Sequence, residues 1–245
     1  MPAITVKNLS KSFKIPHRKQ TSITEFLSNP FATKREQDTL KVLDNCSFEI
    51  ENGDTVGIVG VNGAGKSTLL KLLASIYLPD SGKIIIQGKV VPFLELGVGF
   101  NPELTGRENV FLNGIILGMS RKFLEKKFDD IVEFAELERF IDLPLKNYSS
   151  GMQVRLAFSI AFMSEADIYL LDEVFSVGDL AFQEKSKAIF QRLQQQGKTL
   201  LLISHSLPTI EGFCKKLLIV NQGKVTTYNS VKEGIEAYKS ANNTI

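Results

Sequence analysis

Cysteine is scarce in this chain. Cys46 and Cys214 are the only two in 245 residues, far apart and in no metal-ligand spacing. That excludes a disulfide framework, suits a reducing compartment and marks both as packing residues. Charge of one sign is also missing. Lys and Arg number 29 against 27 Asp and Glu, a net +2, so no electrostatic argument points to nucleic acid. The densest basic stretch, Arg121 to Lys127, contains Glu125 and reads as a solvated helix face. No apolar run reaches the roughly 18 residues needed to span a bilayer, and no apolar signal segment opens the chain. By itself the chain is expected to be soluble, with any membrane role coming through a partner. What it does have is 43% hydrophobic residues, enough to bury one large domain or two small lobes.

The most informative stretch is Gly60-Val61-Asn62-Gly63-Ala64-Gly65-Lys66-Ser67, which spells G-x-x-x-x-G-K-S. An apolar run, Thr55 to Val59, precedes it, and a helical apolar run from Thr68 to Ala74 follows. Strand, loop and helix in that order are the setting in which such a loop binds phosphate. The glycines let backbone N–H groups converge, and the helix N-terminus adds partial positive charge at the same point. Gly60, Asn62, Gly63, Ala64, Gly65 and Thr68 would form the cradle. Lys66 can reach the β- and γ-phosphates, and the Ser67 hydroxyl can ligate Mg²⁺.

Strand-like and helix-like segments alternate along the chain, which implies an α/β fold with a largely parallel sheet. Ile4 to Val6 and Cys46 to Ile50 read as strands of an outer layer, with Glu51 to Asp54 as a turn. Ile84 to Ile86 and Val90 to Leu94 are two more strands. Ile168 to Leu171 and Thr199 to Ile203 are continuous apolar runs, as expected for strands buried on both faces. Leu217 to Val220 and Lys224 to Tyr228 read as a late hairpin across Asn221-Gln222-Gly223. Between about Glu108 and Met163 the pattern turns helical, with Phe123, Leu124, Phe128, Ile131, Val132 and Ala135 on one face. This block falls between two strands and reads as an inserted helical lobe. Val231 to Tyr238 is a final helix.

Residues 16–40 interrupt what would otherwise be a short link between the first strands. Inside lies Ser22-Ile23-Thr24-Glu25, a capping-box pattern, with Ile23, Phe26 and Leu27 on one helical face and a stop at Asn29-Pro30. That short amphipathic helix reads either as packed on the core or as an interface with a partner or a membrane.

Ile168-Tyr169-Leu170-Leu171-Asp172-Glu173 is an apolar strand that ends in two carboxylates. Beside a phosphate loop, Asp172 would hold Mg²⁺ and Glu173 would accept a proton from an attacking water. Upstream stand Tyr148-Ser149-Ser150-Gly151-Met152, small polar residues at a helix N-terminus, where they serve as an ordinary cap or as a second anion-binding end. Their order and spacing resemble the signature loop of ABC ATPases, and the resemblance covers nearly the whole chain. It continues through Ser176-Val177-Gly178-Asp179 in the D-loop place to His205 in Ser204-His205-Ser206, where the family carries its switch histidine.

The resemblance implies an ABC-type P-loop NTPase. Its fold would be a mixed core sheet with an antiparallel β layer, a core lobe of about 1–100 and 164–245, and a helical lobe of about 101–163. It implies ATP and Mg²⁺ as cofactors, a γ-phosphate contact for His205 and adenine stacking on Phe13, with a core phenylalanine as the plainer reading of Phe13. In ABC enzymes Ser149, Ser150, Gly151 and Met152 would complete the site of the opposite subunit, so two copies would meet head to tail around two ATP molecules. Two departures stand out. Ser150 and Met152 replace the family's glycine and glutamine, and the family's Gln before the helical lobe is not visible; Glu95 stands roughly in its place, near the metal or with no nucleotide role.

The run from Leu94 to Asn109, the Tyr-Ser-Ser-Gly-Met signature and the long insertion after Phe13 narrow the resemblance. Together they are similar to the ATP-binding subunits of bacterial polysaccharide exporters, which move O-antigen, capsule or teichoic-acid chains. The expected partners are a second copy and a polytopic membrane permease, at the cytoplasmic face of the membrane, with no nucleic acid. At this length the chain is expected not to hold the carbohydrate-binding domain some relatives carry, so glycan recognition is expected in the membrane subunit or elsewhere. A non-transport ABC ATPase, or a subunit for another substrate, is the alternative.

Overall fold

The computed structural model describes residues 1–16, 37–94, 97–176 and 178–242. Two sheets lie in it. A mixed six-stranded sheet has the order β5-β6-β7-β3-β8-β9, and a three-stranded sheet the order β2-β1-β4.

The mixed sheet holds the chemistry-bearing ends. Its strands are β3 (Thr55–Val59), β5 (Val90–Phe93), β6 (Ile168–Asp172), β7 (Thr199–Ile203), β8 (Lys216–Asn221) and β9 (Lys224–Tyr228). All are parallel except β9, which returns antiparallel on β8 across the turn expected at Asn221-Gln222-Gly223. Period-two burial explains the continuous apolar runs. Ile168, Leu170, Leu201 and Ile203 face one apolar cluster, while Tyr169, Leu171, Leu200 and Leu202 face the other. Both faces are covered, so neither can be polar.

The first face is covered by α1 (Lys66–Leu73) and the antiparallel sheet of β1 (Pro2–Pro16), β2 (Gln37–Glu51) and β4 (Ser81–Ile86). β1 and β2 are much longer than Ile4 to Val6 and Cys46 to Ile50. Their pairing runs on through Phe13↔Leu40 to Pro16↔Gln37, so both ends of the 16–40 insertion are strand. The amphipathic segment at Ser22 to Leu27 lies outside the described residues, as does Glu95.

Three helices fall between β5 and β6: α2 (Gly106–Ile116), α3 (Arg121–Ala135) and α4 (Ser150–Met163). α2 starts on a capping box, in which the Thr105 hydroxyl accepts from the Glu108 N–H and the Glu108 carboxylate accepts from the Thr105 N–H. Leu124, Phe128, Ile131, Val132 and Ala135 of α3 meet Val110, Leu156 and Ile160 in an apolar cluster separate from those of the sheet. The second face of the mixed sheet carries α5 (Leu180–Gln195), α6 (Leu207–Phe213) and α7 (Val231–Asn242), which runs four residues past Tyr238. Cys46 and Cys214 are buried and free, and burial pushes the Cys214 thiol up to about 12.

Candidate nucleotide site

Parallel strands bring their carboxyl ends to one edge of the sheet, which is where open α/β sheets bind ligands. In β6 and β7 Asp172 lies opposite Ile203, and in β3 and β7 Ile58 lies opposite Ile203. One register line therefore brings together three segments distant in sequence. The phosphate loop leaves β3, Asp172 and Glu173 end β6, and His205 follows β7.

The loop from Gly60 to Gly65 is shaped by close approach and by handedness. A Cβ on Gly60 would stand 2.3 Å from the Val220 carbonyl oxygen, so only glycine fits between β3 and β8. Gly65 caps α1 at φ 103°, in the left-handed region, with no side-chain cap on the helix's first N–H groups. Those donors face a cavity of about 670 Å³ lined by the loop, Ser67, Thr68, Asp172, Glu173 and His205. Lys66 is 8% exposed, and its ammonium donates to the Gly60 carbonyl at 2.8 Å and the Val61 carbonyl at 3.1 Å. Burial pulls its pKa below the usual lysine value, and the charges of Asp172 and Glu173 partly oppose that shift.

Glu173 sits at φ 54°, a left-handed conformation that costs a non-glycine residue about 1 kcal/mol or more. Its N–H donates to the Ile203 carbonyl at 3.1 Å, which turns the chain at the end of β6. The carboxylate Oε1 lies 3.8 Å from His205 Nε2, close enough to interact when the imidazole carries charge. Strain held at a carboxylate that faces a phosphate loop is what pre-organised chemistry requires.

At the far end of the cavity stands Phe13, half-buried on β1. Its ring meets Tyr77 edge to face, with centroids 5.6 Å apart. Asp80 anchors this part of β1, accepting from Lys11 Nζ at 2.8 Å and from the Ser12 N–H at 2.6 Å. Val42 and Leu94 complete the apolar end of the cavity, and the sequence reading missed both. Phe13↔Leu40 pairing puts Val42 two residues along the partner strand; the available signal was the continuation of β1 beyond its apolar start.

Of the residues expected at a nucleotide site, Phe13, Asn62, Gly63, Ala64, Lys66, Ser67, Thr68, Asp172, Glu173 and His205 line one cavity, with Gly60 and Gly65 shaping it. Ser149, Ser150, Gly151 and Met152 do not. Ser149 caps α4, accepting from the Met152 N–H at 3.2 Å, and all four residues sit away from the cavity. Tyr148 before them is buried, and its hydroxyl donates to the Phe140 carbonyl at 2.7 Å. No group of three His, Cys, Asp or Glu side chains gathers around a common point among the described residues. One carboxylate and one hydroxyl beside a phosphate pocket instead fit a Mg²⁺ that takes its remaining ligands from substrate and water.

A profile of the ABC transporter family matches residues 43–176, from β2 through the phosphate loop, α4 and Asp172-Glu173. The chain belongs to the ABC transporter family, as its nucleotide-binding, ATP-hydrolysing cassette. It is 43% identical to the ABC transporter protein AbcA of Aeromonas salmonicida, over 97% of this chain and 76% of that protein. The O-antigen export system ATP-binding protein RfbB of Klebsiella pneumoniae is 38% identical over 98% of both. The teichoic acids export ATP-binding protein TagH of Lactococcus lactis is 41% identical over 84% of this chain; the chain spans 44% of that protein. The fold is that of a dimeric ATP-binding cassette solved in a post-hydrolysis state with ADP and phosphate. That structure is 23% identical at a TM-score of 0.72, over 92% of this chain and 97% of that one.

Proposed function

We propose that this cassette powers export of a cell-surface polysaccharide through a separate membrane subunit, hydrolysing ATP in sites shared by two copies of the chain. The observation that supports the substrate class is the end-to-end match, 98% of both chains, with an O-antigen export ATP-binding protein. The Leu94 to Asn109 run and the Tyr-Ser-Ser-Gly-Met signature lie within that match.

The residues divide the work by position. The α1 N–H groups and Lys66 bind and neutralise the β- and γ-phosphates. Ser67 and Asp172 would hold Mg²⁺, which supplies charge neutralisation between the phosphates when bound. Glu173 accepts the proton of the attacking water, and His205 beside it donates to the terminal phosphate as charge develops there. Phe13 stacks on the base, with Val42 on the neighbouring strand lining the same end of the cavity. Ser149, Ser150 and Gly151 are outside the cavity, so their N-terminal α4 donors serve the nucleotide of a second copy. Leu180, a large apolar side chain 79% exposed beside Asp179, suits that copy-to-copy face.

No helix among the described residues is long and apolar enough to cross a membrane, and on this reading a separate subunit forms the pore. A second cavity, about 290 Å³, opens between the sheet and α2, where Ile76, Val98 and Ile116 are exposed and Asn113 and Ala157 line the floor. An apolar groove between the sheet and the 101–163 helical lobe can receive a helix of that subunit at the cytoplasmic face. The test is export itself. A strain lacking this chain should lose surface glycan and recover it with the wild type but not with Glu173→Gln. Unchanged surface glycan in the deletion would contradict the substrate class while leaving ATP hydrolysis untouched.

A further inference from the structure

Four charges from three helices close a ring at the seam between the helical block and the mixed sheet. Arg155, six residues along α4 from its Ser149 cap, donates through Nη1 to Glu136 Oε2 at 3.0 Å and through Nη2 to Asp179 Oδ2. Glu136 caps the C-terminus of α3 in a left-handed conformation, and its other oxygen accepts from Lys185 on α5. Asp179 uses its other oxygen to cap α5, accepting from the Phe182 N–H at 3.0 Å. Lys185 lies on the same α5, so the circuit runs α4 to Asp179, along α5, to Glu136 and back. Both oxygens of each carboxylate are engaged.

The ring lies on an aromatic floor. The Arg155 guanidinium stands 5.5 Å from the Phe182 ring centroid and the Lys185 ammonium 5.7 Å from that of Phe134. Phe134 and Phe182 are themselves 5.7 Å apart, and Phe158 of α4 packs on Phe182 at 5.3 Å. Isolated exposed pairs of this kind contribute little. Here Arg155 is 20% exposed and planar, with two forks fixed by two partners and an apolar surface beneath, so its geometry is over-determined. A lysine carries the same charge without the second fork.

Asp179 stands six residues beyond Glu173, and Ser149 six residues before Arg155. We propose that Arg155 is a positioning residue for ATP hydrolysis, clamping the helix that carries Ser149 to the segment that follows Glu173. Ser149 then reaches a neighbouring copy's nucleotide only in a fixed relation to the chain's own hydrolytic carboxylate. The proposal rests on the reading of Ser149 as a donor to a second copy's site.

The test is steady-state ATP hydrolysis by the purified full chain, with melting temperature followed in parallel. Arg155→Met should lower kcat about tenfold and leave the KM for ATP within about twofold, because no substrate contact is lost. Arg155→Lys should recover part of kcat. Asp179→Asn, which retains a capping oxygen, should give a similar loss, and the double variant should be no worse than either single one. Lys185→Met opens only the outer pair and serves as the control for stability. A kcat for Arg155→Met within about twofold of wild type would overturn the proposal, as would additive losses in the double variant or an equal kcat loss in Lys185→Met at equal melting temperature. Ser149→Arg separates the two layers. Retained hydrolysis there contradicts the shared site, whereas lost hydrolysis there with normal Arg155→Met contradicts the clamp alone.

Discussion

Single residues at this site carry chemistry because their surroundings remove the alternatives. Gly60 has no room for a Cβ, Glu173 is held in a conformation it would otherwise avoid, and Lys66 is drawn out of water against the loop carbonyls. Tyr148 shows the same principle beside the signature serine. Burial raises its phenol to about 12, and its hydroxyl donates to the Phe140 carbonyl. A group whose folded pKa lies above its unfolded value adds stability below the unfolded pKa and loses it as pH rises through the folded one. Stability should therefore fall between about pH 10 and 12, and Tyr148→Phe should remove Tyr148's share of that slope while costing about 1 kcal/mol at neutral pH. Chemical denaturation at several pH values reads both effects.

At the scale of elements, the long β1–β2 pair supplies Phe13 and Val42 to the cavity, the end proposed for the base. Asp80 ties Lys11 and Ser12, the two residues beside Phe13 on β1, to the segment after α1. Those two donors hold the Asp80 carboxyl below its usual pKa, so the tie is complete above the ordinary carboxylate range and is lost as pH falls through the lowered value. Asp80→Ala should raise the KM for ATP several-fold while kcat stays within about twofold, since the phosphate end is untouched. A KM unchanged from wild type would show that Phe13 needs no such anchor. The pair also marks what local sequence could and could not convey. β6 and β7 were legible because strands buried on both faces must be continuous apolar runs, and the phosphate loop because its glycines and lysine have fixed spacing. The outer half of the pair was not, since Lys11, Ser12 and Lys14 break the alternation and the pairing partner lies beyond a 20-residue gap. The four-charge ring was equally hidden. Arg155, Glu136, Asp179 and Lys185 obey no periodicity, and only the packing of three helices assembles them.

For the whole molecule, the separation of Ser149 from the cavity is the governing fact. One chain presents a nearly complete phosphate site and, on another element, a helix N-terminus without a nucleotide of its own. Two chains arranged head to tail, as proposed, would satisfy both, and ATP would then favour the closed pair through a higher affinity for that state. On the proposed function, hydrolysis at Glu173 would remove that preference, and the groove beside α2 would pass the motion to a membrane subunit. The most direct test is the solution mass of the Glu173→Gln chain with ATP and Mg²⁺. The account predicts twice the 27.2 kDa chain mass with almost no hydrolysis, reverting to 27.2 kDa when Ser149→Arg is added. A Glu173→Gln chain that stays at 27.2 kDa in saturating ATP, or that hydrolyses ATP at the wild-type rate, would contradict it.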